Sequence, residues 1–220
     1  MKLAILTANL NHFDTQVDPV AQDLPKGVDQ IVFHRFTDDN FPPIIGLTPR
    51  FQYRLPKLFG WQMWPGYDYY LWLDGSMSLQ NPNSVKWFLN QLENTHMALF
   101  KHPWRNTIKE EVDHIDQKLQ EGNKYITSRY KNGLHKEHYQ EILKDKTYVD
   151  DRLYASTAFI YRNTQQVRNL MKDWLFSSAR YFTCDQVALP YLIWKHKIKT
   201  RIIKHNLFKI EYVSLVSRHK

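Results

Sequence analysis

The sequence predicts a single α/β domain with a mostly parallel mixed sheet flanked by helices. Three observations carry that expectation. Short apolar or aromatic runs alternate with amphipathic segments from end to end, the pattern of strands joined by helices. No linker, repeat or low-complexity tract interrupts the 220 residues, so residues 1–220 read as one domain. Hydrophobic residues make up 43% and charged residues 24%, the composition of a globular chain able to bury a sizeable core.

Leu3-Ala4-Ile5-Leu6-Thr7-Ala8-Asn9 reads as a buried strand running into a polar turn, with Thr7 and Asn9 at its carboxyl end. Gln30–Phe33 is a second short strand. Asp38–Pro43 is a loop, because consecutive prolines fit neither a helix interior nor a central strand. A helix is predicted over Arg50–Trp61. Tyr67–Leu73 is an aromatic strand, buried on both faces near its end, and it stops at Asp74-Gly75-Ser76. Ser84–Leu92 follows as a helix and His96–Phe100 as a strand. In Thr107–Gln120 the apolar residues Ile108, Val112, Ile115 and Leu119 recur at helical spacing, and Gly122 ends that helix. Ser156–Tyr161 is a strand leading into Asn163 as N-cap. The helix behind it is striped by Val167, Leu170, Met171, Trp174 and Leu175. Thr183 and Gln186 have capping-box spacing and open a helix to about Trp194, kinked at Pro190. Thr200–Ile203 is the last strand, and the basic tail after Ser214 reads as partly frayed.

Several classes are excluded. The longest apolar run is Tyr69–Leu73, so no membrane span is predicted. The opening residues turn polar at Thr7 and Asn9, too early for a secretory apolar region. The single cysteine, Cys184, excludes an internal disulfide and a multi-cysteine zinc site, and a reducing, cytoplasmic compartment is the expectation. Thirty lysines and arginines against 22 acids give a net charge of +8, which points to an anionic partner. Nucleic acid, an anionic membrane surface and a phosphorylated small molecule all satisfy that. The seven glycines show neither Walker nor dinucleotide spacing, so charged side chains or a metal must hold any phosphate.

In open α/β sheets, ligands sit beyond the carboxyl ends of the strands. That rule directs attention to Thr7–Asn9, Asp74–Ser76, Lys101–Arg105 and the end of the last strand. Asp74, delivered by an apolar strand into a Gly-Ser turn, could hold a hard divalent cation together with water and phosphates. Alternatively it caps its own backbone in an Asp-Gly turn. Arg50, Arg54 and Lys57 precede it, and Lys101, His102 and Arg105 follow. A bound diphosphate would meet arginine forks and a lysine point charge there, whereas the bland alternative is a solvated basic face. Asp185, in the first turn of a helix, is favoured there by the helix dipole whether or not it also acts as a general base. His135-Lys136-Glu137-His138 reads as an exposed helix face, and Cys184 as structural.

Four segments carry a resemblance in register: Tyr53-Arg54-Leu55-Pro56-Lys57-Leu58, Leu71-Trp72-Leu73-Asp74-Gly75-Ser76, Phe100-Lys101-His102-Pro103 and Phe182-Thr183-Cys184-Asp185-Gln186. Together they resemble a family of GT-A-fold nucleotide-sugar glycosyltransferases that includes plant Golgi glycosyltransferase-like proteins. The similarity spans roughly residues 1–205. The N-terminal turn also resembles the N-terminal glycosyltransferase domain of a multidomain chlorovirus capsid-glycan protein, which would place the chain in a host cytoplasm.

The resemblance implies a GT-A-like domain that moves a hexose from a UDP-sugar donor to a hydroxyl of a glycan acceptor. UDP-rhamnose or UDP-glucose is the favoured donor. It implies that Asp74-Gly75-Ser76 stands where such enzymes carry Asp-x-Asp and bind Mn²⁺ (or Mg²⁺). Ser76 replaces the second carboxylate, so Asp74 and Ser76 need another metal ligand, with His205 the candidate and His219 the fallback. Imidazole suits Mn²⁺ better than Mg²⁺. Thr7, Ala8 and Asn9 would contact base and ribose. Arg54, Lys57, His102 and Arg105 would face the diphosphate beside Gly75, and Ser156 and Thr157 would line the sugar pocket. Asp185 would serve as base in an inverting displacement, or Asp185 and Gln186 would steady a sugar cation in a retaining one. No nucleic acid is expected on this reading. The alternatives are a single-stranded nucleic-acid-binding protein, from the charge and the aromatic residues, and a carbohydrate-binding module stacking sugars on Trp61, Trp64 and Trp104.

Overall fold

Strands form where the apolar runs lie. In the computed structural model, which describes residues 1–217, six of them build one sheet. They are β1 (Lys2–Ala8), β2 (Gln30–Phe36), β3 (Tyr69–Asp74), β5 (Met97–Lys101), β6 (Tyr154–Arg162) and β7 (Thr200–Ile203), in the order β2-β1-β3-β6-β5-β7. A two-stranded ribbon pairs β4 (Met77–Ser78) with β8 (Ser214–Leu215). Pairings β1·β2, β1·β3 and β5·β7 are parallel, and β6 runs antiparallel to both β3 and β5. The sheet is therefore mixed but mostly parallel. Its one reversed strand begins where the others end, so the first residues of β6 lie at the carboxyl edge.

Side chains on a strand alternate between faces, and β3 uses both. Tyr70 and Trp72 enter a core layer with Leu6, Phe159, Trp174 and Leu189. Leu71 and Leu73 enter the opposite layer with Ile5, Phe88, Phe100 and Ile160. Full burial of one such side chain is worth roughly 1.5–3 kcal/mol. The first layer is covered by α2 (Arg54–Met63), α7 (Gln165–Tyr181) and α8 (Asp185–Lys195), the second by α3 (Ser84–Leu92). Helix α2 lies close on β1, because a Cβ on Gly60 would come within 2.4 Å of Leu6 Cδ1. A third, smaller cluster joins α4 (Ile108–Gln120), α6 (His135–Ile142) and α8 through Val112, Ile115, Ile142 and Val187.

Several elements differ from the sequence expectation. The predicted Arg50–Trp61 helix is two, α1 (Pro49–Gln52) and α2, meeting at Tyr53. The N-cap of α7 is Thr164, whose side chain accepts from Val167 N, while Asn163 lies outside the helix and donates to the Tyr67 carbonyl. The Thr183–Gln186 capping box does not form. Cys184 occupies the N-cap of α8 without a side-chain bond, and Thr183 Oγ1 is buried with no partner. A helix not anticipated, α5 (Lys124–Tyr130), starts at Asn123, whose side chain accepts from Ile126 N. His135 and His138 are buried rather than exposed, because His135 meets Asp116 at 2.7 Å and His138 stacks on Tyr181 at 4.0 Å. The tail up to residue 217 is tied down by β8 and by Val216 N donating to the Ser76 carbonyl.

Candidate active site

The carboxyl edge between β1, β3 and the start of β6 opens into a cavity of about 680 Å³. Its floor is built by α2 and β3. On α2 the spacing of Arg54, Lys57 and Leu58 places all three on the inward face, where Leu58 reaches the core and the two cations stop beneath the cavity. Asp74 is the last residue of β3 and pairs in register with Ala8 of β1.

Four charges interlock on that floor. Lys57 Nζ donates to Asp185 Oδ2 at 2.8 Å and to Asp74 Oδ1 at 3.2 Å, with its side chain only 1% exposed. Arg54 Nε lies 3.2 Å from Asp185 Oδ1, an ion-pair distance without hydrogen-bond alignment, and the Arg54 guanidinium donates to the Thr183 carbonyl. Asp74 Oδ1 also accepts from the Tyr53 hydroxyl and, at 2.8 Å, from Trp72 Nε1 two residues back on the same strand face. Two cations and two carboxylates thus balance.

Burial by itself would raise the Asp185 carboxyl, but Lys57 and Arg54 overcome it and hold that group well below the usual carboxylate range. For Lys57 burial opposes the charge, and the attraction of Asp185 and Asp74 outweighs it, so its ammonium is held above the ordinary lysine value. Burial, then the charges of Asp74 and Asp185, push the Tyr53 phenol well up, so it stays a donor.

Ala8, Asn9, Arg54, Lys57, Asp74, Ser76, Ser156, Thr157, Asp185 and Gln186 all line the cavity. Ser156 Oγ accepts from Lys57 at 3.4 Å. Thr7 and Gly75 do not line the cavity, Thr7 being buried with its hydroxyl unpartnered and Gly75 half-buried. Four other predicted residues stand elsewhere. His102 is buried with Nδ1 accepting from Arg105 N at 3.0 Å, and Arg105 pairs with Glu111. The physical reason is strand order. With β6 inserted, the end of β5 is two strand spacings from β3, about 10 Å. Lys101 instead borders a separate cavity of about 570 Å³ with Arg152 and Lys204. His205 is exposed, outside the cavity lining, its ring 6.4 Å from that of Trp87. His219 lies outside the described residues.

The tryptophans expected to stack on sugar do not gather. Trp61 and Trp64 pack against the core, Trp64 on His34 at 3.8 Å. Trp104 is 69% exposed and stacks on Phe208, which lines the cavity.

The cavity also holds Arg129 and Asp14, which the sequence did not single out for a role, and Arg50, which it placed in the upstream basic cluster. Arg50 lies over the Tyr130 ring at 4.2 Å, and Arg129 lies between Tyr125 and Phe13. Asp14 lines the same wall. The start signal for α5, Asn123 directly after Gly122, was the one cue to this wall. Asp74, Asp14, Ser76 and Ser217 supply oxygen donors to one cavity, the donor type that a hard divalent cation takes. No group of three or more His, Cys, Asp or Glu residues suited to a metal occurs among the described residues.

A family model described as TOD1/MUCI70, glycosyltransferase-like domain, matches residues 47–220. No curated protein matches. Solved structures that match include mouse xyloside xylosyltransferase 1 in its apo form. It covers 92% of this chain and 85% of that chain at 10% identity, with a TM-score of 0.44, too loose to carry an argument.

Proposed function

This chain belongs to the TOD1/MUCI70 glycosyltransferase-like family, and we propose that its cavity is the donor site of a metal-dependent hexosyltransferase using a UDP-sugar and a glycan acceptor. One observation carries this reading: a charge-balanced Arg54–Asp185–Lys57–Asp74 chain, buried except at the half-buried Asp74, floors a cavity at the carboxyl edge of the sheet. Buried titratable groups shifted by burial and by specific charge partners, as Lys57 and Asp185 are, mark a candidate functional site when they lie at a cleft.

Ala8 and Asn9, at the carboxyl end of β1, take the base and ribose. Arg50 and Arg129 face the diphosphate from the wall, and Ser156 and Thr157 meet the sugar. Mn²⁺ or Mg²⁺ held at Asp74 and Ser76 would supply Lewis-acid neutralisation of the departing diphosphate. Lys57 fixes Asp74 and Asp185 in place by hydrogen bonds to both, a preorganised field rather than a mobile one. Asp185, engaged by both Lys57 and Arg54, serves as a fixed anion near the anomeric carbon, with Gln186 beside it. Phe208 and Trp104 form an aromatic rim over which the glycan acceptor enters. UDP-rhamnose or UDP-glucose is the favoured donor, from the resemblance of the N-terminal turn to the chlorovirus domain.

Calorimetric titration of UDP, with and without Mn²⁺, tests the reading. Tight binding should need the cation and fall at least 100-fold in Asp74→Ala. Cation-independent binding, or full binding by that variant, would refute the proposed site.

A further inference from the structure

The second cavity, of about 570 Å³, opens at the same carboxyl edge, on the far side of β6 from β3. Lys101 is the last residue of β5, Lys204 follows the last residue of β7, and Arg152 stands two residues before β6. Because β6 runs against β5, its beginning meets the ends of β5 and β7. Strands about 4.8 Å apart thus bring three cations to one place. The volume lies within the range of ligand sites, about 300–1,000 Å³.

The charge of this cavity is open. Asp151 is the one acid that lines it, and Arg152 Nε and Nη2 already donate to its two oxygens at 2.5 and 2.7 Å. Lys101 and Lys204 are exposed and make no ion pair among the described residues. Arg105, by contrast, closes on Glu111. Tyr154, paired in register with Lys101, is fully buried, and its hydroxyl stands beside the Arg152 guanidinium without a hydrogen bond of good geometry. One carboxylate for three cations leaves the cavity positive, unlike the balanced floor of the first.

Aromatic side chains join the two cavities. Lys101 and Asn106 both border the second, and between them Trp104 stacks on Phe208 with ring centroids 5.8 Å apart. Phe208 lines the first cavity and lies four residues past Lys204. Two short segments, 101–106 and 204–208, therefore each run from the basic cavity to the aromatic rim. A chain of sugars leaving the first cavity over that rim would meet aromatic faces and then cations.

We infer that the second cavity binds an acidic residue of the acceptor glycan, a sugar bearing a carboxylate or sulfate, remote from the hydroxyl that reacts. This rests on the glycosyl-transfer reading above. Lys101 and Lys204 supply point charges to the anion, and Arg152, fixed by Asp151, supplies a planar cation. A single-stranded nucleic acid carries a phosphate on every unit and needs cations along its whole track. Here they gather at one end of an aromatic one.

Calorimetry with dextran, carboxymethyl-dextran and dextran sulfate oligosaccharides of equal length, at about 0.15 M salt, tests the inference. The backbone is constant, so the arms read charge and separate carboxylate from sulfate. At least one anionic chain should bind tenfold or more tightly than neutral dextran. Lys101→Ala with Lys204→Ala should remove that preference, while UDP affinity stays within twofold. The control Lys2→Ala with Lys26→Ala takes the same charge from the amino edge of the sheet and should leave the preference intact. Equal binding of neutral and anionic chains would overturn the inference. So would an equal loss in both double variants, which would make the preference one of net charge alone. Tighter binding of a single-stranded oligothymidylate, lost in Lys101→Ala with Lys204→Ala, would assign the cavity to nucleic acid and overturn it too. If wild-type protein fails to bind UDP but keeps a preference that depends on Lys101 and Lys204, the donor reading falls and the acidic-glycan site stands.

Discussion

Two basic clusters stand near the carboxyl edge of this sheet, on either side of β6, and they have opposite fates. Around Asp74, cations from α2 meet carboxylates from β3 and α8, and the balanced set faces a cavity. After β5, Arg105 is consumed by Glu111, His102 by the Arg105 backbone, and Cys184 donates to the other Glu111 oxygen at 3.7 Å. The first cluster keeps polar atoms turned toward a ligand-sized space. The second satisfies itself and anchors the start of α4 against α8. Being basic and at the carboxyl edge is therefore insufficient. What separates the clusters is whether their charges close on each other or remain open to a cavity.

The largest expected effect breaks the first cluster. Lys57→Met leaves Asp74 without its cation and Asp185 with Arg54 alone, and removal of one partner from such a network costs about 3–5 kcal/mol. Urea unfolding should show that loss together with abolished UDP binding. A stable variant that still binds UDP would erase the distinction between the clusters.

A smaller effect is expected from Arg105→Ala. Glu111 is left buried without its cation, and the cost should be about 1–3 kcal/mol. UDP affinity should stay within twofold of wild type, and a tenfold loss would return the second cluster to the donor site.

The smallest effect concerns acid. Burial, the dominant influence, pushes the imidazole of His102 down to about 4, below its ordinary 6.5. The unfolded chain therefore binds the proton more readily, and the stability held by neutral His102 is complete above pH 6.5 and lost as pH falls toward 4. His138 is likewise pushed down to about 4, chiefly by burial. Asp185 is depressed instead, so its contribution persists through that window and fades only at lower pH. Replacing His102 by Asn, whose Oδ1 can accept from Arg105 N, should flatten part of the melting-temperature decline between pH 6.5 and 4 and leave UDP binding at pH 5 unaltered. An unchanged slope would mean that His102 is not titrating there.

The legible parts of the fold were those where local pattern and tertiary role agree. Ser84–Leu92 and Thr200–Ile203 form their elements at the predicted bounds, because apolar periodicity marks them and the core uses it. The Asn163 and Thr183 caps failed because the choice among neighbouring polar residues depends on how the chain enters each helix, and Thr164 and Cys184 take those places. His135 and His138 have the composition of a solvated face, yet α4 and α7 cover them. At the site, Asp74, Lys57 and Asp185 were readable from strand ends and a helix start. Asp14 and Arg129 were not, because the loop after β1 and helix α5 show little periodicity before they fold over the cavity.

The sequence by itself determined that one α/β domain forms, which strands are buried, and that Asp74 stands at a carboxyl edge among cations. These follow from hydrophobic periodicity and turn chemistry, which are local. Only the tertiary structure decided which cations reach Asp74. The reversed β6 lies between β3 and β5 and moves His102 and Arg105 away, while α8 brings Asp185 within 2.8 Å of Lys57 across 128 positions of sequence. Strand order and helix docking are set by the packing of whole faces, and no short segment carries that information.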